Sequence, residues 1–281
     1  MICVPNVKIN LGLNVLRKRQ DGYHDIETLF VPYNDIHDTL EVIKADDYSR
    51  ISARLFAVYG DSVTQAVSPD GKIMITIAIP GDSPDWDPMD DLCVKAYRLL
   101  DADYDLPSVK IFLEKTAPVG AGLGGGSSDA ATVLKILDSL FSLGLSEEKL
   151  AVYAAKAGSD CPFFIYNRPM LGRGRGEILT PFELNGIFNG YEMRVIVPEG
   201  ISVSTSQAYK NIVPRIPEHS VPEVLAKPVE QWKEFLFNDF EPAVFADHPE
   251  LSAIKKSLYD SGAVYASMSG SGSALFALYK K

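Results

Sequence analysis

The stretch from Pro118 to Ala131, PVGAGLGGGSSDAA, constrains this chain more than any other. Five of the seven residues from Gly120 to Gly126 are glycine. Ahead of it, Val109-Lys-Ile-Phe-Leu alternates and predicts a strand. Behind it, from Ala130 to Phe141, apolar residues recur at helical spacing. The glycines therefore belong to a strand-to-helix turn. Glycine reaches positive φ without a steric penalty and lets a ligand come close to the main chain. A helix N-terminus adds unpaired N–H groups and a partial positive charge. Together these make an anion site, most naturally for phosphate.

Three other readings compete. Gly120, Gly122 and Gly125 fit the dinucleotide-binding fingerprint by letter, but that fold needs an acidic residue about 20 positions on, at a strand end. Here the distance lands near Ser146-Glu147, between two helical stretches, so the context is wrong. A Walker loop closes with Gly-Lys-Ser/Thr, and Ser127 stands where the lysine is required. The last reading is a turn that binds nothing. Against it, glycines clustered at a helix start are costly to order.

A phosphate site has to work against the rest of the chain, whose net charge is −10 over 281 residues. Local lysines, backbone amides and Mg²⁺ must overcome that field. The acidic balance shows no basic face for nucleic acid and no attraction to an anionic membrane. Cys3, Cys93 and Cys161 are far apart and odd in number, and the four histidines fall at no ligand spacing. The N-terminal residues lack the basic-then-apolar pattern of a signal peptide, and no apolar run approaches the ~18 residues of a membrane span. The expectation is a cytoplasmic, soluble protein, monomer or homodimer, that binds neither nucleic acid nor membrane.

Residues 2–16 alternate, with Val7, Ile9, Leu11, Leu13 and Val15 against Lys8, Asn10, Gly12 and Asn14. That predicts a strand with one apolar and one polar face, and Lys8 and Asn10 share the polar one. Solvent-facing filler and a functional pair remain open for these two. Asp21-Gly22 signals a turn before Tyr23 and His24. Residues 25–33 and 38–43 read as strands, and 49–78 continue in the same β style, with 73–79 the clearest strand. A polar, proline-bearing loop at 80–90 leads to an amphipathic helix from Asp91, in which Lys95 reads as a surface lysine.

A further helix begins at Ser146 and ends near Gly158. Asp160 then stands between a glycine and Pro162, just before an apolar run. It is either a cap residue or a carboxylate at the edge of a core that serves as a base. Leu171 to Glu177 is a second glycine-punctuated turn between strands, carrying Arg173 and Arg175, and reads as a plain hairpin or, on weaker grounds, an anion site. The second half adds a strand at 192–197, a Pro-rich connection at about 213–228, a helix at about 249–261, and two strand-like runs joined by Ser269-Gly-Ser-Gly-Ser273.

Taken together, these motifs resemble the galactokinase, homoserine kinase, mevalonate kinase and phosphomevalonate kinase superfamily. Pro5-x-x-Lys8-Ile-Asn-Leu resembles its first motif, Pro118 to Ala131 its phosphate-binding signature, and Met268 to Ser273 its third. Within it, Lys8-Ile-Asn-Leu, Asp21-Gly-Tyr-His24 and Gly158-Ser-Asp160-x-Pro-Phe-Phe resemble the branch that phosphorylates a cytidine-diphosphate methylerythritol.

The resemblance implies a two-domain α+β fold with mixed and antiparallel sheets, divided as 1–156 for ATP and 157–281 for substrate. It implies ATP and Mg²⁺ as cofactors, and phosphoryl transfer to a tertiary hydroxyl. By match to the motifs, Asp160 is the base and Lys8 its partner. Pro118, Gly120, Gly122, Leu123, Gly124, Gly125, Gly126, Ser127 and Ser128 hold ATP together with Lys95, with Ser127 and Ser128 beside Mg²⁺. On the substrate side, Asn10 orients the methylerythritol hydroxyls, Tyr23 and Tyr209 sandwich the cytosine, His24 reads it, and Thr205 lies near the diphosphate. The chain departs from the pattern at Asp91, where asparagine is usual, at Tyr209, where phenylalanine is common, and at Arg173-Gly-Arg-Gly, which is unusually basic and carries no implied role. A homoserine or mevalonate type of kinase shares the glycine loop, and a non-catalytic nucleotide-binding regulator shares the scaffold.

Overall fold

In the computed structural model, which describes residues 1–210 and 212–281, the chain gathers into two units, each made of separate segments. The first takes Met1–Val7, Tyr33–Val119 and Gly124–Asn167; the second takes Lys8–Pro32, Gly120–Leu123 and Arg168–Lys281. In chain order, β1 (Ile2–Cys3), β2 (Asn6–Lys18), β3 (His24–His37) and β4 (Thr39–Lys44) come first. Then follow α1 (Ser52–Tyr59), β5 (Thr64–Val67), β6 (Ile73–Ala78), α2 (Leu92–Tyr104) and β7 (Val109–Glu114). After the glycine loop come α3 (Gly125–Phe141), α4 (Glu147–Ala157) and α5 (Cys161–Tyr166).

The first unit is built on a sheet ordered β1-β4-β7-β6-β5, antiparallel except where β6 runs parallel to β7. Val42, Ile111 and Ile75 stand in register on one buried face, and α3 lies against β4. The opposite face presents Ile43, Met74, Ala78 and Phe112 to α1. That helix corrects the β reading of residues 49–78 over 52–59, while 64–67 and 73–78 are strands as expected. Ile51, Leu55 and Tyr59 recur every four residues and pack on this face. Helix-favouring Ala53, Arg54 and Ala57 lie between them, and Gly60 ends the run with φ 51°. Arg54 and Tyr59 also reach the buried end of β7 at Glu114, whose carboxyl the Arg54 hydrogen bond holds below its ordinary value.

The remaining elements belong to the second unit: β8 (Met170–Gly174), β9 (Ile178–Pro181), β10 (Tyr191–Ile196), α6 (Thr205–Lys210), α7 (Val221–Leu225), α8 (Trp232–Phe235), α9 (Glu241–Asp247), α10 (Pro249–Asp260), β11 (Tyr265–Met268) and β12 (Leu275–Lys280). One sheet is ordered β2-β3-β8-β9 and another, wholly antiparallel, β10-β12-β11. Leu13, Val15 and Ile26 share an apolar cluster with Ala208, Phe240, Val244, Leu251, Met268 and Leu275. Early strands and late helices thus close one core. Among the described residues, no helix is long and apolar enough to cross a membrane.

Candidate active site

The glycine loop runs from the end of β7 to the start of α3, as the spacing predicts. Gly120, Gly122 and Gly124 all have φ near +70°, a region that side chains with a Cβ rarely enter. Gly124 is the N-cap and offers no side-chain bond, and the first bond back along the helix runs from Ser128 N–H to Gly124 C=O. The N–H groups of Gly125, Gly126 and Ser127 therefore have no acceptor inside the helix. Gly126 is exposed, and no acidic residue stands in the first turn to compete for these donors.

Beneath this turn lies a buried charge cluster. Lys115 Nζ donates to Asp38 Oδ2 at 2.6 Å and to Asp129 Oδ2 at 2.8 Å, and all three side chains are almost wholly buried. Asp38 Oδ1 accepts from the N–H of Ala117, one residue before Pro118. A Cβ on Gly125 would sit 3.4 Å from Lys115 Nζ and 3.5 Å from Asp38. Burial pushes the Asp129 carboxyl well above its ordinary value, although Lys115 pulls it down. Its Oδ1 finds no hydrogen-bond partner. Lys115 and Asp38 lie in no motif, and only their hydrogen bonds reveal that they hold the loop.

In the second unit, the first and third motifs meet the loop. Lys8 Nζ donates to Gly122 C=O at 2.7 Å and to Asn10 Oδ1 at 2.5 Å, and its backbone N–H reaches Leu123 C=O at 2.9 Å. Asn10 N–H donates to Ser269 Oγ, which itself donates to Gly122 C=O. Ala274 N–H closes on Ala121 C=O at 3.1 Å. A Cβ on Gly122 would fall 2.3 Å from Ser269 C=O, so only glycine fits. Lys8 and Asn10 are 2% and 3% exposed, which rules out solvent-facing filler. Their polar face is covered by residues some 260 positions later in the chain. Asn238 supports the same turn from behind, donating to Met268 and Gly270 C=O at 2.8 Å each.

The aromatic residues expected at the substrate also fall in the second unit. His24 stacks on Tyr209 with ring centroids 5.0 Å apart, and Tyr209 meets Phe240 edge-on. Burial lowers the His24 pKa, and the charge of Lys18 adds to the shift, both disfavouring the protonated ring. Tyr23 stands on the β2–β3 turn and is 54% exposed. Thr205 and Ser271 share a hydroxyl–hydroxyl bond of 2.8 Å.

Asp160 belongs to the first unit, is partly buried, and precedes α5 without capping it through its side chain. The next residue, Cys161, is buried, and its thiol is pushed up to about 12 by that burial; Asp160's charge adds to the rise, while a hydrogen bond with Ser127 and the charge of Lys95 oppose it. Lys95 is exposed and donates to Ala157 C=O at 2.8 Å. Ser127 and Asp160 thus lie near Cys161, and Lys95 is tied to the end of the preceding helix at Ala157. Pro118 is partly buried beside exposed Val119. Among the described residues, no three His, Cys, Asp or Glu side chains group to hold a metal ion. Of the two serines expected beside the metal, Ser127 is partly open and Ser128 is buried.

A glycine-lined helix start and a lysine-held loop, in a two-unit α+β fold, define a small-molecule phosphotransferase. Family models agree. Residues 91–168 match the GHMP kinases N terminal domain and residues 220–281 the GHMP kinases C terminal. The chain belongs to the GHMP kinase family. It is 44% identical over 279 residues to the 4-diphosphocytidyl-2-C-methyl-D-erythritol kinase of Bacteroides fragilis, covering 99% of this chain and 92% of that one. A crystal structure of 4-(cytidine 5'-diphospho)-2C-methyl-D-erythritol kinase superposes with a TM-score of 0.74 at 31% identity, covering 99% of this chain and 90% of that one. A homoserine kinase from Cytophaga hutchinsonii superposes at 0.59 with 16% identity, over 99% of this chain and 86% of that one, which shows the shared fold.

Proposed function

We propose that this protein transfers the γ-phosphoryl group of ATP to the 2-hydroxyl of 4-diphosphocytidyl-2-C-methyl-D-erythritol, a step of non-mevalonate isoprenoid synthesis in the cytoplasm. The observation that carries the reading is the 44% identity, along nearly the whole chain, to a kinase named for that substrate. The grouping of His24 with Tyr209, beside exposed Tyr23, gives it a physical basis. Rings supply stacking for any base, while a neutral imidazole can both donate to and accept from cytosine.

Residues 1–156 take the nucleotide. Residues 157–281, with Asn10, Tyr23 and His24 from the early strands, take the cytidine substrate. The N–H groups of Gly125, Gly126 and Ser127 receive the phosphates at the positive end of α3. Ser127 would help hold a magnesium ion carried by ATP, which would supply compensation for the phosphate charge. Asn10 orients the methylerythritol hydroxyls and Thr205 the diphosphate. Asp160 accepts the proton of the 2-hydroxyl as that oxygen bonds to the γ-phosphorus. The bond to the β–γ bridging oxygen breaks and ADP leaves with it. Lys8 is the electrostatic partner, its ammonium offsetting charge on the transferred group.

The test is ATP consumption, coupled through ADP, with the cytidine compound, homoserine and mevalonate offered separately. Turnover of the cytidine compound alone is expected. Asp160→Ala should lower kcat at least about a hundredfold with ATP binding kept. Turnover of homoserine or mevalonate instead would overturn the substrate. ATP binding without any turnover would make the protein a nucleotide-binding regulator.

A further inference from the structure

The basic hairpin Arg173-Gly-Arg-Gly is the one motif that the phosphotransfer reading leaves without a role. The structure separates its two arginines. Arg173, on β8, donates through Nε and Nη2 to Glu27 Oε2 at 3.1 and 3.0 Å. The other oxygen of that buried carboxylate accepts from Val221 N–H at 2.8 Å. Arg173 therefore offsets a buried charge that ties β3 to the start of α7, and its role is structural.

Arg175 is engaged differently. It lies in the turn between β8 and β9, and its guanidinium carbon stands 4.8 Å from the centre of the Tyr23 ring. Its carboxylate partner, Glu177, holds the turn chiefly through the Arg175 backbone N–H at 2.5 Å; the side-chain contact, from Nε, is a long 3.4 Å. The Arg175 side chain is 32% exposed, so about two-thirds of it is covered. The other arginines near Tyr23 are committed elsewhere, Arg17 to Asp25 and Arg19 to both Asp21 and Asp25. Tyr23 itself is fixed at the backbone, its N–H donating to Asp21 Oδ1 and its C=O accepting from Arg19 N–H.

An exposed tyrosine on a tight turn loses side-chain freedom when a base stacks on it, and that loss subtracts from affinity. A planar guanidinium on one face supplies the ordering in advance through cation–π attraction. More than half of Tyr23 still faces solvent, so the residue remains open to a ligand. We infer that Arg175 is a positioning residue for the nucleobase, backing Tyr23 so that the ring is already set to stack on the cytosine. This rests on the reading that Tyr23 stacks on the substrate's base.

The test is a double-mutant cycle in the full chain, with KM for the cytidine substrate, KM for ATP, kcat and thermal midpoint measured on Arg175→Ala, Tyr23→Ala and the pair. Arg175→Ala should raise KM for the cytidine substrate about three- to tenfold, with kcat, KM for ATP and the thermal midpoint held. The same substitution should add nothing once Tyr23 is alanine. An unchanged KM in Arg175→Ala, while Tyr23→Ala raises it, overturns the inference alone. An equal rise in the Tyr23→Ala background overturns it too, because the guanidinium would then act on the substrate directly. A parallel loss of kcat, ATP affinity and thermal midpoint overturns it in favour of a scaffold role. An unchanged KM in Tyr23→Ala removes the stacking reading itself, and the inference with it.

Discussion

The Lys8 cluster and the Tyr23–His24–Tyr209 cluster both belong to the second unit, yet they are built from different materials. Around Lys8 the groups are buried and joined by hydrogen bonds to the Gly122 carbonyl of one glycine turn and the Ser269 hydroxyl of the other. Around Tyr23 the groups are rings and a guanidinium, partly in water and joined by faces. Hydrogen bonds to main chain fix an atom within tenths of an ångström, which phosphoryl transfer needs. Stacked faces tolerate sliding, which suits the proposed base recognition and on that proposal leaves selectivity to the His24 imidazole.

The comparison breaks most severely at Gly122. Gly122→Ala would push a Cβ to 2.3 Å from Ser269 C=O at a φ of +74°. We expect a loss of about 3 kcal/mol or more in urea unfolding, together with loss of turnover. Gly120→Ala is the internal contrast, since that Cβ meets nothing within 4 Å at a similar φ of +69°. It should cost only the backbone strain, about 1 kcal/mol. Equal losses in the two variants would mean that the close approach of the two glycine turns contributes nothing.

An intermediate effect is expected at His24. Its pKa in the folded protein lies below the ordinary 6.5, so folding favours the neutral ring, the form that the proposed reading of cytosine uses. The stability this contributes is full above about 6.5 and is lost as pH falls through the lower folded value. KM for the cytidine substrate should therefore stay flat from pH 8 to about 6.5 and climb only at lower pH. His24→Gln should remove that climb. A wild-type KM that rises on going from pH 6 to pH 8 would assign the reading to the protonated ring. The smallest effect belongs to Tyr209→Phe, which keeps the ring against His24 and Phe240. A change in KM within about twofold is expected; a much larger one would give the hydroxyl a part.

What could be read from the chain follows the range of the forces involved. The glycine turn was legible because strand, positive-φ glycines and helix start are local and contiguous. The strand that carries Lys8 and Asn10 was legible as well, since alternation marks faces. Whether its polar face is open was not, because Ser269, far along the chain, decides it. Residues 52–59 were misread because Ile51, Leu55 and Tyr59 mark a helix only once a sheet face is there to receive them. Nor could spacing reveal that Lys115 sits between Asp38 and Asp129. Nothing local marks a charge that will be buried and paired.

The interleaving of the two units has a consequence for biosynthesis. The segment Lys8–Pro32 leaves the ribosome early, but the rest of its unit is Gly120–Leu123 and Arg168–Lys281. Contacts of such long sequence separation form slowly, after a large loss of chain entropy. A nascent chain that has grown to residue 167 carries every segment of the first unit. For the second it carries two pieces, among them Leu13, Val15 and Ile26, whose apolar partners from Val203 to Leu275 have yet to be made.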